Sequence, residues 1–569
     1  MRFSSYLFLW ILLAGLALPL SLHGQASVNV STLDPVYRDI DKLVAHGLVT
    51  KIIMGQRPFS RREIARITRE AMSRLHLLEE PLADSSLTPD KKAHLQADLD
   101  YVTHILKRLK RDYREELIQL GALEGETRWY SVHPLEKVEL DTTVTNSLPR
   151  GFPPNGLGEL DAVLNPLIQY RQGRNLVDGG NLYLETSHWL RATDYLAFYA
   201  RPRFQLAIGR DGQSDDNKAY VQNLYMKILA KNVDIEFGRD QLVWGQGLRS
   251  GLLLSDNPRG LDMAKLSNDE PFFFPWVFKY LGAQKLSFFY ADLGPEQFFP
   301  HSYLTGFKWS LQPVSFFELG FSNAVISGGE GAPPGSFGER VTDVFPFVQL
   351  FTGSQKQIDN KMGGVDFRFR IPPARGVELY LEMIFDDTPG SSLKKFFVDD
   401  VGYLGGIYVP RLSHTGSVDL RLEYHRTGIR YYRHHQFQSG WSLNRFILGD
   451  DLGPDAQGVY ATVNWDLNRE NLLTLDLAFE DRSNDIYISV SDPGLHFIKA
   501  KDNPDEFRVR AVGQWLYRLS DFPLNVTAQL GYERVHNFNF VQDADRNNFL
   551  GRVNLQFDLD RWTRRPSRN

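Results

Sequence analysis

The sequence predicts a mainly β fold: a transmembrane antiparallel β-barrel of about 18 strands, preceded by a small N-terminal α-helical bundle. Three observations predict it. From about Trp129 to the C-terminus, apolar and polar residues alternate with period two. The connectors alternate between short turns and long polar loops, which is the arrangement of periplasmic turns and extracellular loops in an outer-membrane barrel. The chain is rich in aromatic residues (13%) and has 46 glycines, yet its mean hydropathy is only −0.32, below what a bundle of membrane helices requires.

The first segment is an address. Arg2 precedes the apolar run Tyr6–Leu20, followed by the small-x-small site Gly24-Gln25-Ala26. This is the pattern of a secretory signal peptide over residues 1–26. Residues 27–125 follow as the helical bundle. Val36, Ile40, Leu43 and Val44 fall on one helical stripe, with Gly47 where a C-terminal cap belongs. Ser60 and Glu63 make a capping box before Ile64, Ile67 and Leu75. Thr88-Pro89 starts a long helix whose stripe runs from Leu95 to Leu120 and stops at Gly121.

Residues 126–558 carry the barrel pattern. Phe198, Phe204 and Leu206 alternate with Tyr199, Arg201, Arg203 and Gln205. Val365–Ile371, Val377–Phe385, Val418–Tyr424, Leu473–Phe479, Phe507–Tyr517, Leu524–Tyr532 and Gly551–Phe557 repeat the rule. One face is apolar and aromatic; the other holds opposite charges, among them Asp366, Arg368, Arg370, Asp419, Arg421, Glu423, Arg508 and Arg510. A soluble sandwich also alternates, but these strands reach the transmembrane length of about 9–11 residues. Arg191–Asp194 and Leu311-Gln312-Pro313 are predicted as short turns, and Asp240–Phe274, Ser327–Lys361 and Arg426–Gln457 as long loops. A barrel this wide leaves an aqueous lumen unless something plugs it; the helices and the inward charges are candidates. Residues 559–569 form a basic tail beyond Phe557.

Composition limits the function. Formal charge is −5, so nucleic acid is not an expected partner. With no cysteine, there is no disulfide, thiolate metal site or cysteine nucleophile. No G-x-S-x-G, H-E-x-x-H or P-loop pattern is found, and the Gly328–Gly335 run lacks the third glycine of a nucleotide loop. Neither a metal nor a cofactor is expected, because the adjacent His434 and His435 are poorly spaced for one ion.

Sugar sites combine an aromatic face with planar polar groups. The segment Arg239, Asp240, Trp244, Gln246, Arg249, Asp256, Asn257 supplies those types, and a second long loop offers Tyr431, Tyr432, His434 and Trp441. Each also has a plainer reading, as strand-end ion pairs and packed aromatics.

Several of these segments resemble the Wzi-type capsule assembly family. One runs from Asp34-Pro35-Val36-Tyr37 to Gly47-Leu48 and on to Gln56-Arg57-Pro58-Phe59-Ser60-Arg61-Arg62-Glu63. A more specific one is Phe237-Gly238-Arg239-Asp240 running into Trp244-Gly245-Gln246-Gly247 and Leu253-Leu254-Ser255-Asp256-Asn257. Tyr199-Ala200-Arg201-Pro202 is a third. The resemblance implies a non-enzymatic, lectin-like outer-membrane barrel, plugged by helices, that holds capsular or extracellular polysaccharide on the cell. Outer-membrane lipid would surround it. The N-terminal segment is also similar to a single S-layer homology module, which would bring the helices against peptidoglycan. Two rival readings stay open: a porin-like channel with a wall-binding module, and an outer-membrane hydrolase acting on lipid or glycan.

Overall fold

The computed structural model describes residues 25–560, apart from 165–166, 168–171, 211–214, 335–358, 387–396, 414, 492–495 and 520–521. Nearly all of the expected signal peptide, most of the 327–361 loop and the tail beyond Asp560 lie outside the described residues. No described helix is long and apolar enough to cross a membrane.

Eighteen strands close into one antiparallel barrel, each paired with its neighbour in sequence and the first with the last. They are β1 Ser131–Thr145, β2 Gly179–Thr193, β3 Leu196–Gly209, β4 Lys218–Ala230, β5 Val233–Asp240 and β6 Leu261–Asn268. Next come β7 Ala283–Asp292, β8 Tyr303–Val314, β9 Phe317–Ser327, β10 Asn360–Ile371, β11 Val377–Asp386 and β12 Val401–Val409. The last six are β13 Val418–Thr427, β14 Ala456–Asp466, β15 Asn471–Arg482, β16 Glu506–Arg518, β17 Leu524–His536 and β18 Arg546–Asp558. The faces are those of a membrane barrel: Phe204, Ile208, Leu422, Phe479 and Val553 are exposed outward, while Arg203, Glu185, Asp366 and Glu382 are buried inward.

Two predicted connectors change. The Asp240–Phe274 loop contains β6, paired with β5 and β7. Leu311-Gln312-Pro313 lies inside β8, where the register shifts between Leu311 and Val314; proline is tolerated at such a bulge because its missing N–H breaks no regular rung.

The helices are α1 Val36–Ala45, α2 Arg61–Ser73, α3 His76–Glu79, α4 Pro89–Asp112 and α5 Arg114–Gln119. Gly47 (φ +74°) ends α1, with Gly47 N–H donating to Val44 and Leu48 N–H to Leu43, the paired bonds of a left-handed C-terminal cap. Ser60 Oγ accepts from Glu63 N–H at 3.0 Å. The reciprocal half of that capping box is replaced by ion pairing of Glu63 with Arg66. The predicted long helix breaks at Tyr113, which lies between α4 and α5.

This helical unit sits in the short-turn end of the barrel and is bound to the wall by buried charges. Asp419 of β13 accepts from Arg38 (2.8 Å) and Lys42 (2.9 Å). Glu318 of β9 accepts the N–H groups of Met54 and Gly55, and Glu136 of β1 pairs with Arg61. Gln56–Arg57 also forms a two-residue strand pair with Val243–Trp244 inside the lumen.

Candidate functional site

The opposite end of the barrel is closed by its own loops. The segment between β5 and β6 dives into the lumen, where buried carboxylates of the wall hold it. Glu382 of β11 accepts from the N–H groups of Gln246 (2.5 Å), Gly247 (2.9 Å) and Leu252 (3.1 Å). The Gln246 side chain donates to Glu318 and Asp366 and accepts from Arg368. A carboxylate aimed at several backbone N–H groups offsets the cost of burying both.

Trp244 packs edge-on against Phe289, with ring centroids 5.3 Å apart. It shares one apolar cluster with Leu252–Leu254, Tyr431, Tyr432 and Trp441. Trp441 Nε1 donates to the Leu253 carbonyl and the Tyr432 hydroxyl to that of Leu252. The two loops that the sequence offered as sugar-binding are thus one folded body inside the barrel.

The individual positions follow from this. Asp240 accepts from Asn29 and Asn223. Asp256 accepts the Thr32 hydroxyl, and burial lifts its carboxyl to about 6. Asn257 donates to the Ile447 carbonyl. The Arg249 guanidinium stacks over Tyr460 at 4.2 Å. His434 accepts from Phe437 N–H, and burial holds its imidazole down at about 4. All of these are buried, as are Trp244, Gln246, Tyr431, Tyr432 and Trp441. Arg239 alone points the other way, to the outer face of the wall, in a two-pronged pair with Asp262.

Other residues make the surface that this body presents outward. Phe298 is 48% exposed, and its N–H donates to Ser439 Oγ. It packs on Phe299, which packs on Phe437. Beside them the exposed Arg445 and Asp161 are paired at 3.0 Å, and Asn444 donates to Glu296. His435 and Gln438 are exposed in the same loop. Aromatic and planar polar groups therefore meet at the mouth, from the 146–178, 293–302 and 428–455 connections. Sequence reading missed Phe298, Glu296, Asp161 and Arg445, because nothing local marks three separate loops as neighbours.

Comparison with known proteins places this architecture. The family model for capsule assembly protein Wzi matches residues 159–550. A 55.8 kDa protein of the cps region of Klebsiella pneumoniae is 25% identical over 189 residues, which is 32% of this chain and only 36% of that protein's length. Wzi of Escherichia coli is described as an outer-membrane protein involved in group 1 capsule assembly and a carbohydrate-binding β-barrel. Its structure matches 94% of this chain and 99% of its own with a TM-score of 0.60 at 16% identity, a likeness of fold.

Proposed function

From the membership of this chain in the Wzi capsule assembly family, we propose that it is an outer-membrane barrel that attaches or organises capsular or extracellular polysaccharide at the cell surface, by binding and without turnover. The observation that carries the reading is the loop-built outer mouth, where Phe298, His435, Gln438, Asp161 and Arg445 stand exposed over a buried apolar cluster. Aromatic faces suit the C–H surfaces of sugars, and amide, carboxylate and guanidinium groups suit their hydroxyls. Trp244, Gln246, Tyr432 and Trp441 act here by holding the loops, and the surface above them makes contact. The barrel's outward apolar belt is the lipid contact.

The porin-like alternative has less support, because inward-folded loops occupy the outer end of the lumen and the helical unit occupies much of the other. A wall-binding role for the helices has less still. The residues carrying the S-layer likeness, among them Leu43, Leu48 and Ile64, form the unit's own core, and Arg38 and Arg61 are engaged by the barrel.

The test is polysaccharide retention. Deleting the gene is expected to move polysaccharide from the cell into the medium with total synthesis unchanged. Phe298→Ala with Arg445→Ala is expected to reproduce much of that shift while the barrel still assembles. An unchanged distribution in a deletion strain that makes surface polysaccharide overturns the proposal.

A further inference from the structure

A cavity of about 470 Å³ remains in the lumen between the helical unit and the wall formed by β14–β18. On its β1–β3 side the cavity is lined by ion-paired groups, where Glu185 meets Arg174 and Arg201, whereas on its β14–β17 side neutral amides and hydroxyls dominate. Here the strand register lines up Asn464, Thr474, Gln514 and Gln529 as cross-strand neighbours over β14–β17. Thr527 lines the cavity one rung nearer the short turns. Thr474 donates to Asn464. The side chains of Gln514, Gln529 and Thr527 have no hydrogen-bond partner among the described residues and line open space. Facing them from the plug is Arg57, whose guanidinium donates to the Gly247 carbonyl and forms no ion pair among the described residues.

Among the described residues, the two ends of the cavity differ. Toward the outer mouth it is roofed by an apolar layer of Leu167, Leu176, Tyr183, Val512 and Leu550, all buried. Toward the short-turn rim it runs into a second cavity of about 260 Å³, bordered by Arg111, Arg518 and Pro523. Both cavities are lined by Asp34, Tyr113, Lys137, Asn525 and Gln556. Arg111 at that rim is nearly half exposed.

We propose that this cavity is a second saccharide site, closed to the cell exterior and entered from the periplasm. Unpaired amides and hydroxyls that both donate and accept match sugar hydroxyls, which do the same. The volume lies within the range of about 300–1,000 Å³ typical of small-ligand sites. Arg57 gives one partner to a carboxylate where the sugar is acidic. The ligand class rests on the attachment reading; the direction of access does not.

The chain has no cysteine, so single thiols report access cleanly. Gln529→Cys and Gln556→Cys are reacted with a maleimide too bulky for general porins, with Gln542→Cys on an outer loop as control. The control is expected to label on intact cells, and the two lumen thiols only in broken envelopes. Oligosaccharides cut from the cell's own surface polysaccharide are then added to the envelopes. At ten times their Kd they are expected to slow the Gln529→Cys reaction about tenfold. Labelling of Gln529→Cys on intact cells, or none in envelopes where the control reacts, overturns the periplasmic entry. Labelling that oligosaccharide does not slow overturns the saccharide assignment. The surface reading fails separately: retention lost or kept in the Phe298/Arg445 variant does not change the labelling pattern.

Discussion

At the scale of single residues, the interior is held by polar groups whose partners lie far away in sequence, and Asp256 shows what that costs. Its carboxylate is buried with one hydroxyl partner, so the folded state favours the protonated acid, at about 6. A carboxyl whose folded value is raised destabilises the fold as pH climbs from its unfolded value, near 4, through about 6, and no further above that. Asp256→Asn can still accept the Thr32 hydroxyl without carrying charge. The variant is expected to exceed the parent in heat stability by about 1 kcal/mol at pH 4.5 and by up to about 3 kcal/mol at pH 7.5. Heat-modified mobility on gels at the two pH values reads this out. A variant less stable at pH 7.5 would show that the charge is needed. Sequence announced the chemistry of this segment but not its direction. Trp244, Gln246 and Trp441 have the composition of a sugar site; carboxylates of β9–β11, some 70 to 140 positions further on, hold Gln246 inward, and Trp441 is turned inward by the Leu253 carbonyl.

At the scale of elements, the strand pattern was legible wherever lipid lies on one side and ion pairs on the other. It failed at β6. There Leu261 and Met263 point inward onto the Trp244 cluster, and Asp262 points outward to Arg239. The usual polarity is inverted, because a loop rather than water fills the lumen beside that strand. The same long-range coupling governs how the helical unit is seated. Asp419 accepts from Arg38, Lys42 and Asn464, and Lys42 is fully buried. Asp419→Asn leaves the buried Lys42 without its ion-pair partner, at a cost of about 3–5 kcal/mol. The wall itself stays closed, so the barrel is expected to keep its resistance to SDS while trypsin gains access to the helical unit. Adding Lys42→Met to Asp419→Asn removes the stranded charge and is expected to restore much of the protection, since Arg38 keeps Asp466. Equal trypsin resistance in the single variant would mean that the helices are seated by apolar packing alone.

At the scale of the whole molecule, an 18-strand barrel is wide enough to conduct, and what prevents it is the sum of two separate closures. The helical unit occupies the short-turn end but leaves the passage beside β16–β18; the inward-folded loops and the layer around Leu167 close the other. The helices were candidates for a plug from the sequence, but the inward folding of the loops was not readable there. Alternation fixes which residues face the lumen, whereas filling depends on volumes brought together from several loops. The two closures make opposite predictions for ion flow. If the outer layer is the seal, the intact protein in a planar bilayer shows no porin-sized steps. Asp419→Asn, which loosens only the helices, shows none either. Leu167→Ser with Leu176→Ser puts hydroxyls into an apolar layer that has no partners for them, and water follows where unpaired polar groups are buried. That double variant is expected to conduct, with current that falls when oligosaccharide is added on the short-turn side. Steady porin-like conductance in the parent would show that the lumen cavity reaches both faces, and the one-sided site would fall with it.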